Sequence, residues 1–343
     1  MRPFDRATSL PNTVASRSRA RAAGAAAPTR TAAPPPAVAT RSRRRRGASV
    51  LVVALALSGC AGRDKTTKTE DGVSAADKHY DVAVASFHNG MFEDAKLQLE
   101  KALAVDPKHA DSYYLRGVLL LNEGKSILDA VEIQQCLEDE AAVQQRKRAQ
   151  TLHRQAGEAF DAAAQYYEEG AAGRGRAYNS LAVVDLQFES VDKAVDHARA
   201  ALREKFYSDR YSALSNLGWA FYVGGDLVSA TAELRQAVLL NPDYCVGRYR
   251  LAQVYLDSGQ PEQALEQAQA VVDSDRCPIQ DAHRVLGAAR LRLGLGEEAQ
   301  QAFTSCVELA PRSCLAQQCQ RLLGAEPKND EVLARGHGDE PQG

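Results

Sequence analysis

From Ala76 onward, apolar residues recur at helical spacing, and the pattern comes in units of about 34 residues. Within a unit, large apolar residues stand at positions 7, 11 and 24 and small ones at 8, 20 and 27. Small residues let two helices approach closely, large ones fill the seam, glycine at 15 turns the chain and proline at 32 ends the second helix. The clearest unit starts at Tyr211, and its key residues are Leu217, Gly218, Phe221, Gly225, Ala230, Leu234, Ala237 and Pro242.

The same frame occurs six times, at spacings close to 34 residues. The frames start at Ala76, Ala110, Gly175, Tyr211, Cys245 and Gln280. A repeated 34-residue helix–turn–helix resembles the tetratricopeptide repeat. The resemblance predicts an all-α fold: a tetratricopeptide-repeat superhelical solenoid of about six to seven helical hairpins over residues 76–324. The segment from Cys314 to Gly324 is expected to be a C-terminal capping helix that covers the last apolar face.

One stretch departs from the repeat. The residues from Ile127 to Glu169 have a long polar face and lack the usual stop, so we expect one elongated helix there. Within it, residues 152–170 are interpreted as the second helix of a degenerate third repeat.

The first helices of such a stack line a concave face where peptides or partner helices dock. The family's geometry implies which positions face inward, and aromatic side chains there would anchor a partner. For Trp219 and Tyr222 the alternative, packing against the neighbouring helix, is equally open. The candidate partner-binding residues are Tyr80, Phe87, Tyr114, Leu121, Asn179, Trp219, Tyr222 and Tyr249.

A basic run, RSRRRR, precedes an apolar run of ten residues that ends in the string LSGC at Cys60. This order is typical of a secretory signal, and its last four residues resemble a bacterial lipobox. The resemblance implies that the Cys60 thiol is acylated and becomes the mature N-terminus. A transmembrane anchor is the alternative, but a span needs about 20 apolar residues.

The remaining boundaries follow from composition. Residues 1–59 are an N-terminal extension and signal peptide that is removed; the extension reflects either an over-long signal or a start codon assigned too far upstream. Its first 40 residues, rich in Ala, Arg and Pro, cannot bury enough apolar surface to fold. Residues 60–75 are the lipidated cysteine and a flexible tether, and residues 325–343 are a disordered tail.

Charge and motifs exclude several function classes. From Cys60 onward the chain has 31 basic and 43 acidic residues, a net charge near −12. An acidic domain without a basic stripe repels nucleic acid. The sequence has no H-E-x-x-H, no G-x-S-x-G and no phosphate loop. We therefore expect no enzyme activity, no cofactor and no metal.

Six cysteines remain if Cys60 carries lipid. An even number in an exported chain favours three disulfides over zinc, since the sequence has no C-x-x-C pair. Six thiols allow 15 pairings. A link between Cys245 and Cys277 is one candidate, and Cys306 with Cys314 or Cys319 is another; Cys136 stands alone and a free buried thiol is its alternative. The disulfide candidates are Cys136, Cys245, Cys277, Cys306, Cys314 and Cys319.

Beyond the repeat, three strings and the lipobox resemble the type IV pilus pilotin lipoproteins of the PilF/Tgl kind. The strings are YYLRGVLLLNEGK, AYNSLAVV and NLGWAFY. The resemblance implies a monomeric, lipid-anchored protein on the periplasmic face of the outer membrane. It would bind subunits of the pilus secretin and help them insert and multimerise. Ala61, in place of aspartate, is compatible with sorting to the outer membrane.

Two alternatives stay open: a generic repeat scaffold in another envelope assembly machine, and a regulatory subunit of an envelope enzyme.

Overall fold

The computed structural model describes residues 74–324, and the expectations for Cys60, for residues 1–59, for most of the tether and for the tail lie outside this part. The regular structure described there is thirteen α-helices and one π-helical turn, Ala130–Gln134. The α-helices are α1 Ala75–His88, α2 Phe92–Val105, α3 Ala110–Asp129, α4 Glu140–Tyr166, α5 Ala172–Gln187, α6 Val191–Arg203, α7 Arg210–Val223, α8 Leu227–Leu240, α9 Cys245–Asp257, α10 Pro261–Val272, α11 Gln280–Arg292, α12 Gly296–Leu309 and α13 Cys314–Gly324.

The first twelve helices pair as six hairpins, numbered 1 to 6 in chain order. In each hairpin the second helix packs back on the first, and it also contacts the first helix of the next hairpin. Helix α13 packs on α12 and ends the stack. The expected all-α tetratricopeptide-repeat solenoid with a capping helix is therefore confirmed. Between Ser74 and Gly324, none of the helices is long and apolar enough to cross a membrane.

Close approach of paired helices depends on alanine and glycine at the repeat's small positions. In five hairpins the alanine at position 20 has no exposed surface: Ala95, Ala194, Ala230, Ala264 and Ala299. A Cβ added to Gly218 would lie 2.7 Å from Leu234 Cγ and 3.1 Å from the backbone oxygen of Ala230. A larger residue at these places would force the helices apart.

The turn between the two helices needs a left-handed backbone. Gly225 has a φ of 85°, and Gly90, Gly259 and Gly294 occupy the same repeat position with positive φ. Hairpin 3 carries Glu189 there, with a φ of 53°. Side chains disfavour this conformation, so packing in hairpin 3 compensates for a turn that its sequence does not favour.

Hairpin 2 differs from the sequence-based expectation. The stretch from Ile127 to Glu169 is not one helix. Helix α3 continues through Asp129 into the π-helical turn, the helix then ends, Cys136 has a positive φ, and α4 begins at Glu140. There is also no separate third repeat in the described chain, because α4 is the second helix of hairpin 2 itself and packs along α3. The predicted elongated helix exists only as α4, with 27 residues.

Gly124 explains the departure. It stands at the turn position of the repeat, yet it lies inside α3, where an added Cβ would be 2.5 Å from the ring of His153 on α4. Gly117 lies in the same way against Phe160, at 2.6 Å. These glycines admit large side chains from the partner helix, and the hairpin lengthens because no turn forms at Gly124.

The six cysteines form three disulfides. Cys245 and Cys277 join the starts of hairpins 5 and 6, with a Cα–Cα distance of 5.5 Å. Cys306 pairs with Cys319, at 6.3 Å, and so fixes the capping helix to α12. Cys314 therefore pairs with Cys136 instead, with a Cα–Cα distance of 4.6 Å.

The Cys136–Cys314 disulfide joins residues 178 positions apart. Cys136 follows the π-helical turn of hairpin 2, and Cys314 is the first residue of α13. Helix α13 also contacts the π-helical turn. The bond therefore ties the second hairpin to the end of the stack and fixes the curvature of everything between them.

Removing the Cys136–Cys314 disulfide should destabilise the protein more than removing Cys306–Cys319. Loop-closure entropy gives about 5 kcal/mol for a 178-residue separation and about 3 kcal/mol for 13 residues. We expect the Cys136→Ser/Cys314→Ser pair to melt at a lower temperature than the Cys306→Ser/Cys319→Ser pair, as followed by circular dichroism. Equal melting temperatures would show that the long link does not constrain the chain.

His153 makes stability depend on pH in the mildly acidic range. Its side chain is 4% exposed in the α3–α4 seam, and burial lowers the pKa of its imidazole. The neutral form is therefore the one that fits the fold. Stability is complete above the unfolded-state pKa, about 6.5, and is lost as the pH falls from there through the lower folded-state pKa.

We expect the urea midpoint of the wild type to fall between pH 7.5 and 5.5, and His153→Gln to flatten that slope. His283 is half-buried, and this burial also lowers the pKa of its imidazole, so part of the slope remains. The exposed His88 provides the control, since His88→Gln should leave the slope unchanged. An unaltered slope in His153→Gln would contradict the assignment.

Candidate partner-binding site

Four of the eight expected groove residues do not line an open groove. The exposed fractions of Leu121, Asn179, Trp219 and Tyr249 are 1–6%. Leu121 packs in the core with Phe160 of α4. The interpretation of these four as partner contacts is therefore corrected: their side chains join neighbouring helices of the solenoid, and a partner could not reach them without opening it.

A first chain of polar contacts crosses α5, α7 and α9. Asn179 donates to Ser212 Oγ over 3.2 Å and accepts from Asn216 Nδ2 over 2.9 Å. Arg250 then donates to Asn216 Oδ1 over 2.8 Å and to Ser215 Oγ over 3.0 Å. The chain therefore links the first helices of three successive hairpins.

Trp219 closes the first chain on its apolar side. The Arg250 guanidinium lies 5.3 Å from the Trp219 ring centroid, and the Tyr222 ring lies 4.5 Å from the same indole. A buried guanidinium over an indole face gains cation–π attraction that water does not weaken. Trp219 and Tyr222 are the two residues for which packing was the open alternative to partner binding. They thus pack against neighbouring helices, and Tyr222 is half-buried.

A second chain crosses α7, α9 and α11. Tyr222 and Gln253 both donate to Asp257 Oδ2, over 2.5 and 2.9 Å. Arg284 donates to Gln253 Oε1 over 3.0 Å. It also forms an ion pair with Asp281, whose Oδ2 accepts the Tyr249 hydroxyl over 2.5 Å.

Asp281 is ionised in this second chain. Burial works against its charge, but Arg284 and the hydrogen bonds from Arg284 and Tyr249 hold the pKa of its carboxyl below the usual value. Its contribution to stability is therefore present at neutral pH and lost only in acid, below about pH 4. The two chains fill the inner faces of hairpins 3 to 6 with fixed polar contacts.

The other four expected residues keep some exposed surface at their positions. Tyr80 on α1 is half-buried with its ring centroid 5.4 Å from that of His109, and burial followed by the charge of Asp111 raises its pKa to about 12. The Tyr114 ring is tilted against that of Phe160, with 5.6 Å between their centroids, and the Arg176 guanidinium lies 5.5 Å from the Tyr114 ring centroid. Both tyrosines are held mainly by the fold.

Phe87 belongs to the one cluster in hairpin 1 that offers apolar surface at a turn. Its ring lies 5.9 Å from that of Phe92, which is 49% exposed, and Met91 beside it is 46% exposed. We call Phe87, Met91 and Phe92 the turn patch. Sequence reasoning found Phe87 and missed the other two.

A signal for the missed residues exists. Met91 is the N-cap of α2 and makes no side-chain capping hydrogen bond, whereas Asp226 caps the equivalent helix α8. N-caps favour side chains that accept a hydrogen bond. An apolar N-cap followed by an exposed phenylalanine marks a position not chosen for helix stability.

Metal chemistry has no visible site here. In residues 74–324, no group of three or more His, Cys, Asp or Glu side chains has an arrangement that could hold a metal ion.

Asn216 is the residue on which the first polar chain depends. Asn216→Ala should lower the free energy of unfolding by about 2 kcal/mol, because it leaves buried donors on Arg250 and acceptors on Asn179 with fewer partners. Urea unfolding at pH 7.5 measures the change. Gln236→Ala, on the exposed face of α8, is the control and should change it by less than about 0.5 kcal/mol. Equal effects would mean that the chain contributes nothing.

Comparison with known families supports the repeats directly. A family model described as the tetratricopeptide repeat matches residues 180–244 and 249–313, and a second model of that description matches residues 99–130. Proteins with these repeats mediate protein–protein interactions. No curated protein sequence matches the chain.

Several solved structures share the fold. PilF of Pseudomonas aeruginosa is 16% identical over 72% of this chain and 97% of its own, with a TM-score of 0.51. The type IV pilus biogenesis factor PilW is 16% identical over 71% of this chain and 98% of its own, also at 0.51. The Cut9 complex with Hcn1 is 14% identical over 72% of this chain and 42% of its own, at 0.56. At these identities the likeness concerns the fold alone, and the described chain is a tetratricopeptide-repeat solenoid.

Proposed function

We propose that this chain is a non-enzymatic pilotin: an outer-membrane lipoprotein that binds type IV pilus secretin subunits and promotes their insertion and multimerisation. The observation that carries the proposal is coverage. The alignment spans 97% of PilF and 98% of PilW, so it involves the whole of two pilus-related chains and not a shared pair of repeats. The lipobox-like string ending at Cys60 supports the same class of protein.

The turn patch is the surface that best suits the secretin contact in this proposal. The inner faces of hairpins 3 to 6 are occupied by the two polar chains, which leaves hairpin 1 with exposed aromatic and sulphur-containing side chains. Exposed aromatics and methionine are enriched where proteins bind partners. Tyr80 and Tyr114, the half-buried candidates of hairpins 1 and 2, lie outside the turn patch, since the Tyr80 ring packs by His109 near the start of α1.

The length of the tether limits how far hairpin 1 could lie from a lipid anchor at Cys60. Fourteen positions separate Cys60 from Ser74, and even a fully extended chain of that length reaches only about 50 Å. If Cys60 carries lipid, the start of α1 is therefore held within that distance of the bilayer surface, and the turn patch, at the other end of this 14-residue helix, within about 20 Å more. A secretin subunit inserting into the same membrane would meet this end of the solenoid first.

The proposal predicts that secretin multimers depend on Cys60 and on the turn patch. In cells, a deletion should abolish detergent-resistant secretin multimers in the outer membrane, as seen by immunoblot, and Cys60→Ala should reduce them because the anchor is lost. Phe92→Glu should reduce them at unchanged protein level. Phe206→Glu is the matched control, since Phe206 is 66% exposed but lies between α6 and α7.

Normal multimers in the deletion strain would overturn the proposal. The protein would then be a repeat scaffold of another envelope machine, and crosslinking from the turn patch would be the way to find its partner. Equal loss in Phe92→Glu and Phe206→Glu would reject the turn patch while leaving the pilotin assignment standing.

A further inference from the structure

Helix α8 presents apolar residues on its outward face. Val228 is 82% exposed, Leu239 is 80% exposed, and Ala232 between them is also exposed. Their spacings of four and seven residues place them on one side of the helix over three turns, about 17 Å. Arg235 lies on the same side, and its aliphatic stem extends the apolar surface. We call Val228, Ala232 and Leu239 the α8 stripe.

The other hairpins serve as an internal reference for the stripe. Aligned on their buried alanines, the regular hairpins all carry an acid where α8 has Val228: Glu93, Asp192, Glu262 and Glu297. Where α8 has Leu239, α6 has Arg203, α10 has Asp273 and α12 has Glu308. Charged residues are thus common at both places. Helix α2 has the small Ala104 where α8 has Leu239, and among the regular hairpins only α8 has large apolar residues at both places.

Helix stability does not explain the exception. Val228 is the second residue of α8, where an acid interacts favourably with the helix dipole and contributes about 0.3–1 kcal/mol. Valine gives up this contribution and also has a lower helix propensity. Because the Val228 side chain is exposed, packing within this chain does not offset that loss of stability. Burial of this side chain would have to come from a partner.

Charge around the stripe describes that partner. Exposed carboxylates flank the N-terminal half of the stripe on both neighbouring second helices: Asp192 and Asp196 on α6, Glu262 and Glu266 on α10. Helix α7 packs on both α6 and α8, and α9 packs on both α8 and α10, so the three second helices follow one another along the stack. Beside the C-terminal half of the stripe, α6 carries Arg199 and Arg203, so the acidic border on that side is confined to the N-terminal half. An apolar stripe between acidic borders complements an apolar stripe between basic borders.

The same features disfavour other occupants. Three side chains alone are too few to supply the roughly 800 Å² per subunit that a stable dimer buries. The four carboxylates beside the N-terminal half of the stripe would also repel the anionic lipid headgroups that attract basic segments.

We propose that the α8 stripe is a docking site for an amphipathic helix of a partner protein, about three turns long, with an apolar face bordered by lysine or arginine. This site lies on the outer face of hairpin 4 and is separate from the turn patch in hairpin 1. It stands whether or not the partner of the turn patch is a secretin.

A designed helix tests the proposal. The probe is an 18-residue peptide with a leucine face and lysine borders, and its counterpart has glutamate borders. The full lipidated chain is held in phosphatidylcholine nanodiscs for biolayer interferometry, with empty nanodiscs as the blank. We expect the lysine-bordered peptide to bind at least tenfold more tightly than its counterpart, with an affinity that falls as salt is raised.

Residues of α6 provide the matched variant. Val228→Asp with Ala232→Asp and Leu239→Arg copies the outward face of α6 onto α8 and should weaken binding at least tenfold at an unchanged melting temperature. Glu262→Gln with Glu266→Gln should weaken binding severalfold by removing one acidic border. Glu93→Gln, in hairpin 1, should have no effect.

Three results would overturn the site. The α6-like variant could bind the peptide as the wild type does. Sedimentation could show a wild-type dimer that the variant loses, which would make a second copy the occupant. Vesicles of phosphatidylglycerol could bind the wild type and not the variant, which would make a membrane the occupant. Secretin multimers in the α6-like variant report on the pilotin proposal separately, because Cys60 and the turn patch are unchanged.

Discussion

The close approach of two helices at a buried alanine is the contact on which this structure depends. Hairpins 1 and 3 to 6 each place an alanine without exposed surface where their helices meet. That contact sets the separation of the paired helices, and the separation sets how the next hairpin can pack. Repeated along the chain, one small residue per hairpin defines a solenoid whose units touch mainly their sequence neighbours.

Curvature then determines what the inner face can do. The first helices of hairpins 3 to 6 lie close enough for asparagine, arginine, glutamine and aspartate side chains to join them directly. Hydrogen-bonded polar groups of this kind are costly to break and fix the spacing of the helices. The chain thus uses the contacts between these first helices for rigidity, while the turn patch and α8 expose apolar side chains elsewhere in the solenoid.

The repeat architecture was readable from sequence because its determinants are local. Gly225 and Ala230 mark a turn and a helix contact within one unit, and their recurrence reveals the stack. The burial of Trp219 and Tyr249 could not be predicted from the sequence, since whether a first helix has an exposed face depends on the pitch of the whole solenoid. Gly124 misled for a related reason: a glycine that fits a turn fits equally against His153.

The Cys136–Cys314 bond has a consequence for the order of folding. Cys136 leaves the ribosome long before Cys314, and Cys245 and Cys277 are synthesised between them. In an oxidising compartment the first partner offered to Cys136 is therefore the wrong one, and exchange through a mixed disulfide must correct any early pairing. The correct bond can form only after hairpins 2 to 6 have stacked and α13 has docked. A reduced Cys136 thus identifies an unfinished molecule, and its oxidation records that the solenoid is complete.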